Sequence, residues 1–373
     1  MNKTAKVLCT LAATTSTCFA QSSVTLYGVI DTSIRFTTHQ PSADGPKTRV
    51  ALTEGGFNGP RWGLRGTEDL GGGNSAVFAL ENGFGSDTGA LGQQGQMFGR
   101  QAWVGLASKS AGTLKVGRQY GAAYIAALQL DPISSGNYNE DNWAVLMPGS
   151  RFDNTVDYSN QWGGFGVNAQ YSLGEQAGNA ARGRTMQLAM SYDTENMRLG
   201  AAGMQSRDAN GNDFTLWTVG AKYALGSLTF YGYYIDQRRD AGFAIGANGT
   251  TAPLANTSLG GNANTAFGSN TQTTRRHDRA GVVGVSYQAT PAWKFTGAYM
   301  RDNASGVSRG ASGTLQTVYA IAMYSLSKRT DLYLEADYSH LSGASVTDPN
   351  SPLGPFGGAS TRTGVGLGMR TRF

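Results

Sequence analysis

Cysteine is almost missing from this chain, and histidine is scarce. The 373 residues hold two cysteines, Cys9 and Cys18, and three histidines, His39, His277 and His340. Histidines so scattered, with no cysteine beside them, make no soft-metal ligand set. Charged residues are few, at 15%. No stretch of about 18 uninterrupted apolar residues occurs, so no transmembrane helix is available. Proline is limited to 10 residues while glycine reaches 53. The glycines follow no period of three, which excludes collagen, and aromatics at 10% exclude low-complexity disorder. What remains is a glycine- and aromatic-rich chain whose apolar residues fall at alternate positions, a pattern foreign to helical proteins.

Residues 1–20, MNKTAKVLCTLAATTSTCFA, form a separate object. Lys3 and Lys6 make a basic start, Val7 to Ala13 a short apolar centre, and Cys18-Phe19-Ala20 a small-x-small end. This is the layout of a secretory signal peptide. Its removal takes both cysteines, so the exported chain beginning near Gln21 has no disulfide and no metal-binding thiol. It also leaves 28 basic and 25 acidic residues. A surplus of about three charges is no footprint for nucleic acid, though it can bias a narrow polar channel.

From Val24 the chain alternates. Val24, Leu26, Gly28, Ile30, Thr32, Ile34 and Phe36 share one face; Thr25, Tyr27, Asp31, Ser33 and Arg35 share the other. Period two is the mark of a strand. At about 13 residues it exceeds the usual globular strand and suffices for a tilted membrane crossing, which needs about 9–11. The pattern recurs at 165–173, 186–193, 281–288, 318–326 and 364–373.

Short connections are expected near 69–73, 108–112, 160–164, 194–196, 224–226, 290–292 and 327–330. Longer ones fall between them, near 37–58, 85–97, 119–151, 175–184, 208–212, 239–275, 303–313 and 342–360. Seven short turns and eight longer loops join sixteen strands, with both termini on the short-turn side. The expectation is an all-β, 16-stranded antiparallel transmembrane barrel over residues 21–373. In lipid no water satisfies backbone groups, so strands must pair on both edges. The apolar face meets lipid and the polar face lines an aqueous interior, which sixteen strands leave open. Tyr192, Trp217, Tyr223, Tyr287, Trp293, Tyr324 and Phe373 lie near strand ends and suit interfacial girdles. A soluble sandwich or solenoid would alternate too, but its second face would be apolar rather than Gly-, Ser-, Gln-, Asp- and Arg-rich.

Catalytic motifs fail on context. Gly306-Val-Ser-Arg-Gly310 spells G-x-S-x-G, yet lies in a long loop rather than between strand and helix. Asp87-Thr88-Gly89 has no second copy to share a proton with. The run Gly66–Gly73 lacks the Gly-Lys-Ser/Thr of a phosphate loop. No cofactor is expected. A channel selective for one solute class is the alternative to a general pore; an outer-membrane β-barrel hydrolase is a more distant one.

Several segments in order resemble one family. Gln21–Asp31 (QSSVTLYGVID), Arg61–Gly73 (RWGLRGTEDLGGG), Phe98–Leu106 (FGRQAWVGL), Gly112–Tyr120 (GTLKVGRQY), Arg151–Ser159 (RFDNTVDYS), Tyr324–Tyr333 (YSLSKRTDLY) and Gly364–Phe373 (GVGLGMRTRF) are similar to the trimeric general porins of Neisseria- and Burkholderia-type bacteria. Pro60, Ser159-Asn160-Gln161 and Thr371 depart from that pattern. The resemblance implies a Gram-negative outer-membrane protein, a homotrimer surrounded by lipid, passing small hydrophilic solutes and ions, with no nucleic-acid partner. It also implies that the third loop, 119–150, folds inward and constricts the lumen. On the resemblance, Arg61, Arg100 and Arg151 form a basic wall with Glu81 beside them, and Asp131, Glu140 and Asp141 are the loop's acids. Phe373 resembles the aromatic end that outer-membrane assembly reads in this class.

Parity tests these positions independently. Arg61 and Arg65 oppose Trp62 and Leu64, Arg151 shares a face with Asp153 and Thr155, and Glu81 opposes Phe78 and Leu80; all point inward. Arg100 shares its face with Ala102, Val104 and Leu106, so only a bulge near its end of the strand would turn it inward.

Overall fold

The computed structural model describes residues 22–134, 136–246, 254, 255, 257, 259, 273–307 and 310–373. The expected signal segment, most of the loop at 239–275, and Ser308 and Arg309 of the G-x-S-x-G run lie outside the described residues.

Seventeen strand segments follow one another as β1 (Ser23–Gln40), β2 (Lys47–Glu54), β3 (Arg61–Gly71), β4 (Asn74–Gly83), β5 (Gln101–Ser108), β6 (Gly112–Tyr120), β7 (Arg151–Trp162), β8 (Phe165–Ser172) and β9 (Thr185–Asp193). The series continues with β10 (Met197–Arg207), β11 (Asp213–Leu225), β12 (Leu228–Arg239), β13 (Arg276–Gln288), β14 (Trp293–Ser305), β15 (Gly313–Ser325), β16 (Thr330–Gly343) and β17 (Thr361–Arg372). From β3 onward each segment pairs antiparallel with the next. β17 pairs with β1 from Val29↔Arg372 to Thr37↔Gly364, which closes the sheet on itself. β2 and β3 pair with successive stretches of the same neighbour, β1, so they are two halves of one crossing and the barrel has sixteen strands. Closure matters physically because it leaves no sheet edge to be satisfied by a solvent that lipid lacks.

The faces are inverted relative to a water-soluble protein. On β1, Ile30, Ile34 and Phe36 are exposed while Asp31, Ser33, Arg35 and Thr37 are buried. On β16, Leu332, Leu334 and Tyr338 are exposed while Asp331, Glu335, Asp337 and Ser339 are buried. A continuous apolar wall of this extent is unfavourable in water by about 25 cal/mol per Å2 and favourable only against lipid. Aromatic residues cluster towards the short turns, where Trp293 stacks 5.7 Å from Phe295 and lies 4.9 Å from Tyr324. No helix among the described residues is long and apolar enough to cross a membrane.

All seven short turns fall where the sequence places them. The first long loop does not. Residues expected in a loop over 37–58 instead extend β1 to Gln40 and form β2, leaving only 41–46 as the connection. Thr37, Thr38, His39 and Gln40 are polar at every position, which hides the alternation that the ladder continues. The crossing then breaks at Gly55–Pro60. Phe57 N and Asn58 N donate to Asp31 Oδ2 at 3.1 and 2.8 Å, and Tyr333 OH donates to Asp31 Oδ1 at 2.7 Å. The break needs glycine: a Cβ on Gly55 would sit 1.6 Å from Asp31 Oδ1, and one on Gly56 would sit 2.7 Å from the Tyr138 ring.

Between β6 and β7 the chain forms two short helices, α1 (Ala122–Leu130) and α2 (Asn139–Leu146). α1 packs on β8–β12 and α2 on β13, β15 and β16, each against the buried face of the sheet, where Ala122, Leu130 and Trp143 join one apolar cluster with Met204, Leu216, Ile235, Met300 and Leu315. The alanines of α1 allow that close approach: Ala122, Ala123, Ala126 and Ala127 are all buried. Its first N–H groups have no cap from the preceding Gly121; Gln170 and Gln187 of the barrel wall accept from Ala122 N at 2.8 Å and Ala123 N at 3.1 Å.

Candidate functional site

The barrel holds a cavity of about 1310 Å3 bounded by residues of β1–β4, β6, β7 and β17 and of the segments 84–100, 121–150 and 353–355. Seven arginines reach it, at positions 35, 49, 61, 100, 118, 151 and 362, against four acids, Glu54, Glu81, Asp87 and Glu140.

On one wall Glu81 is the hub. Arg100 Nε donates to its Oε1 at 2.8 Å, and Arg61 Nε lies 3.9 Å from its Oε2. Tyr27 OH donates to Oε2 at 3.0 Å and Tyr120 OH to Oε1 at 3.1 Å, while Arg100 Nη2 donates to Tyr120 OH at 2.8 Å. Arg100 reaches this network without the bulge its parity calls for. β5 begins at Gln101, so Arg100 lies on the loop before it, where strand parity does not apply. Burial works to lower the Arg100 pKa, but Tyr120 and Glu81 outweigh it and hold it above its ordinary value. Arg151 stands beside this group with its guanidinium 4.9 Å from the Tyr120 ring centre, and Nη1 donates to Ser150 Oγ at 3.2 Å. Among the described residues no carboxylate pairs with Arg151. Tyr120 in turn stacks on Tyr124 of α1, at 5.7 Å.

The loop acids separate. Glu140 lines the cavity, 3.1 Å from Arg35 Nη2 on β1 and 3.5 Å from Arg362 Nη1 on β17. Asp131 does not line it: Tyr233 OH, Ile133 N and Ser134 N donate to its carboxylate at 2.9, 3.0 and 3.1 Å, behind α1 on the β12 wall. Burial lifts Asp131 to about 6, against those hydrogen bonds. Asp141 is also away from the cavity, fully buried near Glu335 and Asp337 of β16.

Comparison with known proteins fits this architecture. A family model described as Gram-negative porin matches residues 7–344. The chain is a Gram-negative porin. It is 30% identical over 409 residues to an outer membrane porin protein of Bordetella pertussis, covering 100% of both chains. A solved anion-selective porin from Comamonas acidovorans shares the fold at 21% identity, with a TM-score of 0.73, covering 95% of this chain and 100% of that one. OmpT of Vibrio cholerae, solved in a trimer form, shares the fold at 16% identity and a TM-score of 0.61, covering 94% of this chain and 99% of that one. This porin is therefore an outer-membrane, multi-pass β-barrel channel rather than an enzyme.

Residues that sequence reasoning missed in this porin are those that seat the loop. Tyr138 OH donates to Ser33 Oγ. Asn137 N donates to Gly56 O at 2.7 Å and Asn137 Nδ2 to Gly55 O at 2.8 Å. Trp143 Nε1 donates to Thr317 Oγ1 at 3.1 Å. The one available signal was the inward parity of Asp31 and Ser33, which named the face but not the partner.

Proposed function

We propose that this porin passes small hydrophilic solutes and ions by passive diffusion, with a weak preference for anions, and that the segment 119–150 narrows its lumen. Arg61, Arg100 and Arg151, with Glu81, form the basic side of the constriction, and Glu140 is its loop acid; Asp131 fastens the loop to β12, and Asp141 is buried away from the cavity. The observation that carries this reading is the imbalance of seven arginines to four acids around the cavity. In a low-dielectric throat such an excess raises the local anion concentration and lowers that of cations without any bond being made. Packing of α1 and α2 against the buried face of the sheet supports the narrowing. The signal peptide at 1–20 and the assembly as a homotrimer belong to the same reading, the latter supported by family resemblance and by the trimer form of a fold relative.

Planar-bilayer recording tests it. Ohmic conductance in triplet steps, with a zero-current potential of anion-preferring sign in a salt gradient, is the expected result. Folded protein that stays silent refutes the pore, and a cation-preferring potential refutes the selectivity.

A further inference from the structure

α1 is apolar on two sides. Ala122, Ala123, Ala126 and Leu130 join the cluster shared with the barrel wall. Tyr124 and Ala127 belong to a second cluster with Val145 of α2, against which Ile125, Leu128 and Leu146 pack while staying partly exposed. Tyr124, Ile125, Leu128 and Leu146 line the cavity of about 1310 Å3, so an apolar strip faces the lumen. No charge interrupts it along α1: Gly121–Leu130 reads GAAYIAALQL, and neither Asp131 nor Asp141 lines the cavity. Apolar surface against water is unfavourable, and a solute with an apolar body relieves that cost where a hydrated inorganic ion does not.

The strip ends at a cation. Tyr124 stacks on Tyr120 at 5.7 Å, and the Arg151 guanidinium lies 4.9 Å from the Tyr120 ring centre. Arg151 lines the same cavity with only 9% of its surface exposed, and its Nε is buried without a hydrogen-bond partner. A buried guanidinium N–H with no acceptor calls for one, and the planar fork of arginine matches a carboxylate. Charge and apolar surface therefore stand side by side, as in a site where a few polar groups fix one end of a ligand and apolar side chains take its body. We propose that this cavity favours anions that carry one carboxylate on an apolar body, aromatic carboxylates above all, with the carboxylate at Arg151 and the ring along Tyr124 and Leu128. The proposal rests on the anion preference stated above and names the class of anion. Flat rings gain most because they can lie against the tyrosine.

The test records chloride current through the porin in planar bilayers near neutral pH while benzoate, lactate or benzamide is added. Benzoate brings charge and ring, lactate the charge alone, and benzamide the ring alone. The zero-current potential in a chloride salt gradient is read first, which tests the anion preference by itself. Expected is a saturable fall in chloride current with benzoate at a roughly tenfold lower concentration than with lactate or benzamide. In Leu128→Gln the advantage of benzoate over lactate shrinks roughly threefold. Leu146→Gln takes its place if that variant does not fold. An anion-preferring channel blocked equally by benzoate and lactate overturns the proposal and leaves the anion preference standing. Block by benzamide as strong as by benzoate overturns it too, because the arginine then plays no part. An unchanged advantage of benzoate in the folded variant removes the strip from the site and overturns it as well. A cation-preferring potential overturns both the anion preference and the proposal built on it.

Discussion

Arg151→Ala isolates one charge at the cavity. Its guanidinium reaches the cavity, no carboxylate among the described residues neutralises it, and its side chain takes no part in strand pairing, so its removal leaves the barrel in place. An ion on the channel axis at about 8 Å from it, in water, feels about 0.5 kcal/mol, of opposite sign for anion and cation. The anion-to-cation permeability ratio therefore shifts by about 1 kcal/mol, or roughly sixfold. Screening at 0.1 M salt, where the Debye length is about 10 Å, cuts this to roughly twofold, and at 1 M, where it is about 3 Å, the effect all but vanishes. The assay is the zero-current potential across a planar bilayer at a fixed salt ratio, repeated at low and high absolute concentration. The expected outcome is a two- to sixfold loss of anion preference at low salt that fades with concentration. An equal change at all salt concentrations would mean that the substitution reshaped the throat, and no change at low salt would clear Arg151 of any role in selectivity.

Glu81→Gln moves the same potential the other way, towards anions by a similar factor, because Arg61 and Arg100 lose their shared counter-charge. Asp131 gives a pH dependence to the seating of the loop. Its folded-state value of about 6 lies above its ordinary 3.8, so its contribution is intact below about pH 4, declines as pH rises through 6 and is flat above. The decline amounts to about 3 kcal/mol, and Asp131→Asn, which keeps an acceptor for Tyr233, abolishes it in unfolding measurements between pH 4 and 7. Gly55→Ala forces Asp31 from the strand break and its three hydrogen bonds, lowering stability by roughly 2–5 kcal/mol in denaturant unfolding; an unchanged midpoint would refute the close-approach account. Gly28→Val places a side chain where the Phe373 ring packs against the β1–β17 seam; a Cβ there would sit 2.4 Å from the ring, and the variant should give less heat-resistant folded protein.

Fold and site differ in how far the sequence reveals them, and the reason is the range of the interactions. Period two survives in each crossing because lipid on one side and water on the other sort every second residue, so Ile30, Ile34 and Phe36 read outward from the letters alone. The alternation of short and long connections then gives the strand number. Reading stops where both faces are polar, as at Thr37–Gln40, or where a strand breaks, as at Gly55–Pro60, because pairing there is set by the neighbour rather than by the pattern. Arg100 shows the same limit at one residue: parity describes a strand, and this side chain precedes one. The acids of the segment 121–150 show it at the level of partners. Nothing local separates Glu140, which meets arginines at the cavity, from Asp141, which turns to β16, or from Asp131, which meets Tyr233.

That division of the acids bears on how the channel selects. On the reading that 119–150 narrows the lumen, the segment is held to the wall by the apolar cluster that α1 and α2 share with β9–β16 and by hydrogen bonds and ion pairs at its edges. Asp131 is engaged by Tyr233 and Glu140 by two arginines. Asp131 and Asp141 do not line the cavity, while Arg61 and Arg151 do. On the proposed reading the arginine excess around the cavity depends on where these acids are held, so the anion preference should weaken if the loop is loosened as well as if an arginine is removed. Trp143→Phe separates the two. It deletes the hydrogen bond to Thr317 without altering any charge, so a fall in anion preference accompanied by increased current noise would support this coupling, and a noisier channel with unchanged preference would break it.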